Sequence, residues 1–494
     1  MPYHPAMVKH GIVTRPVVRA LAAAGLAALL SGHAHAESDT PRAPETRWDP
    51  PKEALPPARP PTRLPDGLTA DALTGRTISL AEAIDVALRN SPLTRQSWLL
   101  TQAAAADLGS RRSAYYPSIE ADFSAQRQKL SSLGGSVTVL TTTYTPSASL
   151  NWLLLDFGGR SGDVAEARRR LWAADFTHDA TMNDLVLGVA QAYYSYQGAR
   201  ALLVAQDANV KQADTNYKAA AARHDAGVAT IADVLQARTQ LSQQRLSYDT
   251  VRGQIETFRG QLATALGVPV NLPVDTAALP ESVNEDATVA SVDRLIAEAE
   301  SIRPDLAAVR SRAAAARAHV RSVRAAGLPA LGASASVSRP YYENADAALP
   351  YASNYSLGLF LRVPLFTGFK TAYDTKSAEA QADAADAGAE STSQLVIFQV
   401  WSSYYGLTTA AEQVRASRDL LESARESAEV ARGRYREGVG SILDLLIAES
   451  AYANALAQDV RSRAGFLLAM AQLAHDTGRV DTSLQAASPR KDNP

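Results

Sequence analysis

Along most of this chain apolar residues recur at three- and four-residue steps, the spacing of a helix with one packed face. Proline is absent from Ser147 to Val268 and again from Leu365 to Ser488. An interior proline costs a helix about 3 kcal/mol, so these two spans have room for very long helices. The pattern predicts a helix from Ser161 to about Ala226 with a return helix to Leu266. A second pair follows, from about Thr371 to Glu437 and from Ser441 to about His475. At 1.5 Å per residue the first helix would run roughly 100 Å and its partner roughly 55 Å.

Between the helices the period changes from 3.6 to 2, which marks strands. Ile119, Ala121, Phe123 and Ala125 alternate with Glu120, Asp122, Ser124 and Gln126, and Tyr144, Ala148, Leu150, Trp152 and Leu154 with Thr145, Ser147, Ser149 and Asn151. Leu331, Ala333, Ala335 and Val337 alternate with serines, and Tyr355, Leu357, Leu359, Leu361 and Val363 with Asn354, Ser356, Gly358 and Arg362. Each run has about the ~10 residues that a tilted strand needs to cross a bilayer, with Tyr144, Trp152 and Tyr355 placed as interface anchors. A soluble sheet with one wet face carries the same alternation. If the sheet is in lipid, four strands cannot close on themselves, and open edges there leave backbone groups unpaired at several kcal/mol each. A membrane barrel must then be assembled from several chains. Three copies give 12 strands, above the ~8 whose interior side chains fill.

The order repeats at a period of about 211 residues. Ser91-Pro92 answers Arg303-Pro304, Tyr116-Pro117 answers Leu328-Pro329, Tyr193-Tyr194 answers Tyr404-Tyr405, and Gly227 answers Gly438. The signature of the repeat is RHDAGVATIADVL, from Arg223 to Leu235, against RYREGVGSILDLL, from Arg434 to Leu446. Each reads as the tip of a helical hairpin: a glycine ends one helix and a hydroxyl residue starts the next. Thr230 with Asp233, and Ser441 with Asp444, fit capping boxes, in which the hydroxyl accepts from a free backbone N–H and the acid occupies the positive first turn.

Composition refines this outline. Of 494 residues 46% are apolar but only 6% aromatic, which points to closely packed, alanine-rich helices. Residues 1–36 combine Lys9, Arg15 and Arg19 with an apolar run from Ala20 to Leu30 and Ala34-His35-Ala36, the pattern of a secretory signal peptide. Removing those three cations takes the net charge from −2 to −5, so nothing favours nucleic acid as a partner. Residues 37–79 hold nine prolines and read as an extended tether. Two units follow, 80–278 and 279–477. The first holds strands at about 117–130 and 144–157 and a hairpin over 160–267 with its tip at 223–235. The second holds strands at about 329–338 and 352–366 and a hairpin over 370–476 with its tip at 434–446. Residues 478–494 read as a disordered tail. There is no cysteine, hence no disulfide, thiolate metal site or acylated anchor.

Together the leader, the duplicated strand-strand-helix-helix unit and the two tips resemble the TolC-like outer-membrane efflux channels, over about Ile78 to Thr477. Leu-Leu-Asp156-Phe157-Gly158, with Gly159, and Pro364-Leu365-Phe366-Thr367-Gly368 are similar to that family's strand-to-helix turns. The resemblance implies a mainly α fold with a small β part. Four strands per chain would join a trimeric, 12-stranded outer-membrane barrel that continues as a long periplasmic coiled-coil tunnel. It implies a homotrimer working with a periplasmic adaptor and an inner-membrane pump. The adaptor would dock at Gly227, Val228, Gly438, Val439 and Gly440, and Asp233 and Asp444 would lie at a periplasmic gate. A second acid that the family places one turn beyond Asp444 is Ile447 here, and an arginine often found two positions after the tip glycine is Gly440, so the gate carries less charge.

No phosphate loop, His-Glu-x-x-His, Gly-x-Ser-x-Gly or cysteine nucleophile occurs, and neither an enzyme nor a cofactor is expected. His178, His224, His319 and His475 lack metal-ligand spacing and read as surface residues. The favoured function is export of small toxic organic compounds such as antibiotics or aromatic acids. One alternative is a protein-secretion duct. A secreted structural or adhesive coiled coil would explain the long helices but not four amphipathic strands.

Overall fold

A computed structural model describes residues 43–46, 77–132, 137–285, 290–343 and 351–479. The signal peptide, nearly all of the tether and most of the tail lie outside the described residues. Most of the described chain is helical. A short strand β1 (Thr77–Ile78) leads into α1 (Leu80–Asn90) and α2 (Pro92–Ser113), then β2 (Ser118–Ser132), β3 (Val137–Leu155), α3 (Gly159–Asp225) and α4 (Ile231–Ala265). After β4 (Asp275–Thr276) come α5 (Val292–Ile302), α6 (Pro304–Ala325), β5 (Ala330–Ser338), β6 (Tyr341–Glu343), β7 (Asn354–Arg362), α7 (Lys370–Arg436) and α8 (Ile442–Asp476). Helices of 11, 22, 67 and 35 residues thus occur in that order in each half.

The starts follow local chemistry. Pro92 and Pro304 occupy first-turn positions, where a missing N–H costs nothing. Ser79 caps α1 in a reciprocal box with Glu82. At the strand-to-helix turns Gly158 has φ +111° and Gly368 φ +63°, conformations that a Cβ resists. Gly159 is constrained differently: a Cβ there would stand 2.8 Å from the Asp156 carboxylate, which accepts from the Arg160 backbone N–H at 2.5 Å. The Arg160 side chain donates to the carbonyls of Ala114 (3.2 Å), Leu153 (2.7 Å) and Leu154 (3.0 Å) and lies over Tyr115, strapping α2 to the β3–α3 turn.

The main sheet runs β2-β3-β5-β7, antiparallel throughout, with β6 paired to the upper part of β3. Below it the helices keep the same order, α2-α3-α6-α7, as one layer. At the middle of the molecule α3 passes over α1, α4 and α8 and buries the main core. Val189, Ala190, Tyr193 and Tyr194 pack there with Val86, Leu262, Val460 and Leu467. Thr77–Ile78, the end of the proline-rich stretch, belongs to this core and not to the extended tether: β1 pairs in parallel with β4, and Ile78 is fully buried. The Tyr193 hydroxyl donates to the Ile78 carbonyl at 2.8 Å, and burial pushes its pKa up. The second tyrosine pair differs, for Tyr404 is half-buried and Tyr405 is exposed.

Candidate functional site

Two places combine exposed apolar groups with fixed backbone geometry: the paired hairpin tips and the open sheet at the other end. At the first tip Gly227 has φ +78°. Its N–H donates to the His224 carbonyl at 2.8 Å, and the Val228 N–H to the Arg223 carbonyl at 2.9 Å. This is a Schellman ending, which satisfies carbonyls that a helix end leaves free. The second tip repeats it: Gly438 has φ +75°, Gly438 N–H reaches Tyr435 O at 3.2 Å, and Val439 and Gly440 N–H both reach Arg434 O at 3.0 Å. With the backbone spent on these bonds, Val228 and Val439 project outward, both about two-thirds exposed. Gly440 is packed tightly, since a Cβ would meet the Arg434 Cβ at 3.0 Å.

Thr230 and Ser441 are the caps of the return helices, each accepting from the backbone N–H three residues on. The Asp233 carboxylate accepts from Thr230 N–H at 2.8 Å and from its hydroxyl at 2.9 Å. Asp444 accepts from Ser441 N–H at a longer 3.4 Å. Asp444 is exposed and Asp233 half-buried, so each can cap its helix and still present charge.

The two tips are tied together by residues that the tip motif alone did not single out. Tyr435 is buried among Ala220, Ala237, Ile442, Leu445 and Leu446. Arg223 donates to its carbonyl at 3.1 Å and stacks over its ring at 4.9 Å. Burial raises the Tyr435 pKa, and its hydroxyl has no hydrogen-bond partner among the described residues. Arg432 binds Glu449 at 2.6 Å across the second hairpin. The signal was present in the sequence: Arg223 and Arg434 align in the repeat, yet only the fold tells which one reaches across. A cleft between the hairpins is lined by Leu235, Thr239, Leu443, Leu446, Ile447 and Ser450.

In the sheet the register sorts side chains cleanly. Ala121 pairs with Ala148, Leu150 with Ala335 and Ala335 with Leu357, while Glu120 pairs with Ser149, Ser149 with Ser336 and Ser336 with Ser356. One face is therefore apolar across all four strands and the other polar. The apolar face is open: Tyr355 is 88% and Leu357 84% exposed. Among the described residues both edges, β2 and β7, lack a partner strand. At the helical end Phe360 lies on the polar side over Gly332, where a Cβ would overlap its ring.

His224 is exposed as expected, but two of the other histidines are not surface residues. His178 is fully buried, its ring held between the Ser97 hydroxyl at 2.7 Å and the Thr46 carbonyl at 3.1 Å, because α2 and residues 43–46 cover it. His475 faces Asp476 with Nδ1 and Asp184 with Nε2, both at 2.9 Å. Burial pulls its pKa down, but hydrogen bonds to the two carboxylates outweigh that and hold it at about 9. Among the described residues no group of three His, Cys, Asp or Glu is placed to hold a metal, and no helix is long and apolar enough to cross a membrane.

Known proteins are similar to this chain. Protein CyaE of Bordetella pertussis is 30% identical over 402 residues, 80% of this chain and 84% of its own length. The toluene efflux pump outer membrane protein TtgC of Pseudomonas putida is 25% identical, over 75% of this chain and 77% of its own length. The crystal structure of a membrane protein from Pseudomonas aeruginosa superposes with a TM-score of 0.74 at 23% identity, covering 85% of this chain and 99% of that one. The family description outer membrane efflux protein matches residues 83–268 and 295–479, and the chain belongs to that family.

Proposed function

We propose that three copies of this chain form an outer-membrane duct that takes small toxic organic molecules from an inner-membrane pump and a periplasmic adaptor to the exterior. The observation that carries this reading is the sheet β2-β3-β5-β7, apolar on one face and, among the described residues, unpaired at both edges. Pairing β7 of one copy with β2 of the next satisfies both edges, and three copies make 12 strands with the polar face lining the lumen. The edge helices α2 and α7 end the layer beneath in the same order, and α7 exposes Phe398, Trp401 and Tyr405 at helical spacing for a neighbour to cover. We read the two halves, with their equal helix lengths, as one duplicated unit. The exposed Val228 and Val439 face the adaptor, and Asp233 and Asp444 from three copies place six carboxylates around the tunnel mouth. The substrate class follows the toluene efflux named for TtgC.

The test is fractionation with expression in a host lacking its own ducts. The expected result is a heat-modifiable trimer in the outer membrane that restores tolerance to aromatic solvents when adaptor and pump are supplied. Soluble monomer alone sinks the duct. A trimer that restores secretion of a polypeptide but no solvent tolerance moves the substrate to the protein-secretion alternative.

A further inference from the structure

Three arginines at the joint between α3 and α6 have no part in the sheet, the core or the tips. We propose that Arg168, Arg169 and Arg321 bind the phosphate of an anionic glycerophospholipid in the periplasmic leaflet, at one site per chain. This rests on the outer-membrane reading above.

Register brings the three together. A Cβ at Gly162 would stand 2.7 Å from the Ser322 backbone N, Asp163 binds the Ser322 hydroxyl, and Glu166 meets His319 at 2.8 Å. The helices are thus antiparallel and close, and Arg168 and Arg169 come level with Arg317, within about a turn of Arg321. Burial and then the charges of Arg168, Arg321 and Arg317 lower the Arg169 pKa. Arg317 is neutralised by Asp386 at 2.9 Å and Arg324 by Glu379. Arg168, Arg169 and Arg321 have no ion-pair partner among the described residues. Arg168 and Arg321 are exposed, and half-buried Arg169 lies over the Trp172 ring at 4.3 Å, a stacking that a guanidinium can combine with hydrogen bonds from its N–H groups. Such a group repels itself until an anion arrives, and a phosphodiester suits the guanidinium fork.

The site faces outward. On α6 the residues against α3 (Ser322, Ala325) and those against α7 (Val320, Val323) are less than half a turn apart when counted through His319. In a layer that closes on itself the narrower sector is the inside, so His319, with Glu166 and Asp163, lines the tunnel. Arg317 and Arg321 occupy the wider, outer sector. On α3 the same count puts Arg168 and Trp172 outside.

The height also fits. Arg321 is four residues before the end of α6 and Arg168 nine after the start of α3, about 6 and about 14 Å along the axis from the helix ends that turn into the sheet. Headgroups extend several Å past the hydrocarbon edge, and arginine side chains reach toward them. The group is not a general basic belt: 211 residues beyond Arg168 and Arg169 stand Glu379 and Ala380.

The test uses purified trimers and native mass spectrometry with phosphatidylglycerol, phosphatidylcholine and inorganic phosphate. Wild type is expected to retain phosphatidylglycerol over phosphatidylcholine. Arg168→Gln/Arg169→Gln/Arg321→Gln should stay trimeric and retain it on the order of a hundredfold less, from the usual contribution of each cation near anionic lipid. The matching triple lysine variant should keep most of the preference. Equal retention in the glutamine variant overturns the site. Displacement of the lipid by excess inorganic phosphate overturns the lipid assignment in favour of a small-anion site. Failure of wild type to form a heat-modifiable trimer is read on the same samples and sinks the duct itself.

Discussion

Asp233 and Asp444 show how one residue can hold a helix start and still act at a mouth. Each carboxylate spends one oxygen on its cap, Asp233 at 2.8 Å and Asp444 at 3.4 Å, so Asn at either position keeps an acceptor and costs about 1 kcal/mol or less. The double variant Asp233→Asn/Asp444→Asn is expected to remain trimeric, to conduct more in planar bilayers, and to be blocked less by divalent cations. Wild-type conductance and block would leave both aspartates as caps only. In the last turn of α8, carboxylates face both ring nitrogens of His475, an arrangement that favours the ring with hydrogen on both. Its folded pKa, about 9, lies above the unfolded value near 6.5. Its stabilisation is therefore fully present below about pH 6.5 and is lost as pH rises through 9. Wild type should exceed His475→Gln by on the order of 2 kcal/mol at pH 6, discounting for the exposed Asp184, and the difference should vanish by about pH 10. A thermal-melt gap that does not change over that range would mean that the clamp holds a neutral ring.

At the scale of elements, the hairpins meet through Arg223 and Tyr435, one charge-assisted hydrogen bond and one cation–π contact. Arg223→Ala should weaken this tie by about 2 kcal/mol and speed amide exchange over residues 431–446 by about 30-fold, with β1 and α1 unchanged. Unchanged exchange at the tip would show that Leu445 and Leu446 hold the hairpins without it. The elements themselves were legible because their signals are long: 67-residue helices leave many turns of periodicity and exclude proline, and the tips carry glycine followed by a hydroxyl. What escaped was pairing between distant residues. The strap made by Arg160, the covered ring of His178 and the clamp on His475 each need a partner more than 40 positions away, except for the neighbour Asp476. Local spacing says nothing of such partners. The strand at Thr77–Ile78 was hidden for a related reason: two residues are too few to show a period, and they are fixed by pairing with β4.

For the whole molecule, the question that decides between a duct and a soluble sheet is which face meets lipid. Leu357 and Ser356 are neighbours on β7, both exposed in the single chain, and the register assigns them to opposite faces. If the apolar face lies in the bilayer, Leu357→Arg puts a cation near the midplane at a cost of roughly 2–4 kcal/mol per chain. Three copies then carry that cost together, and heat-resistant trimer should be lost or form only at lower temperature. Ser356→Arg adds the same side chain to the lumen side, where water solvates it, so the trimer should persist and conductance should fall as three cations narrow the bore. A soluble sheet with one wet face predicts otherwise: both positions would face solvent or a protein partner, and neither arginine would change partition into the membrane fraction. Trimer formation of the two variants at matched expression, read by unheated gel mobility, separates these outcomes, and equal behaviour of the pair would remove the barrel from this reading of the chain.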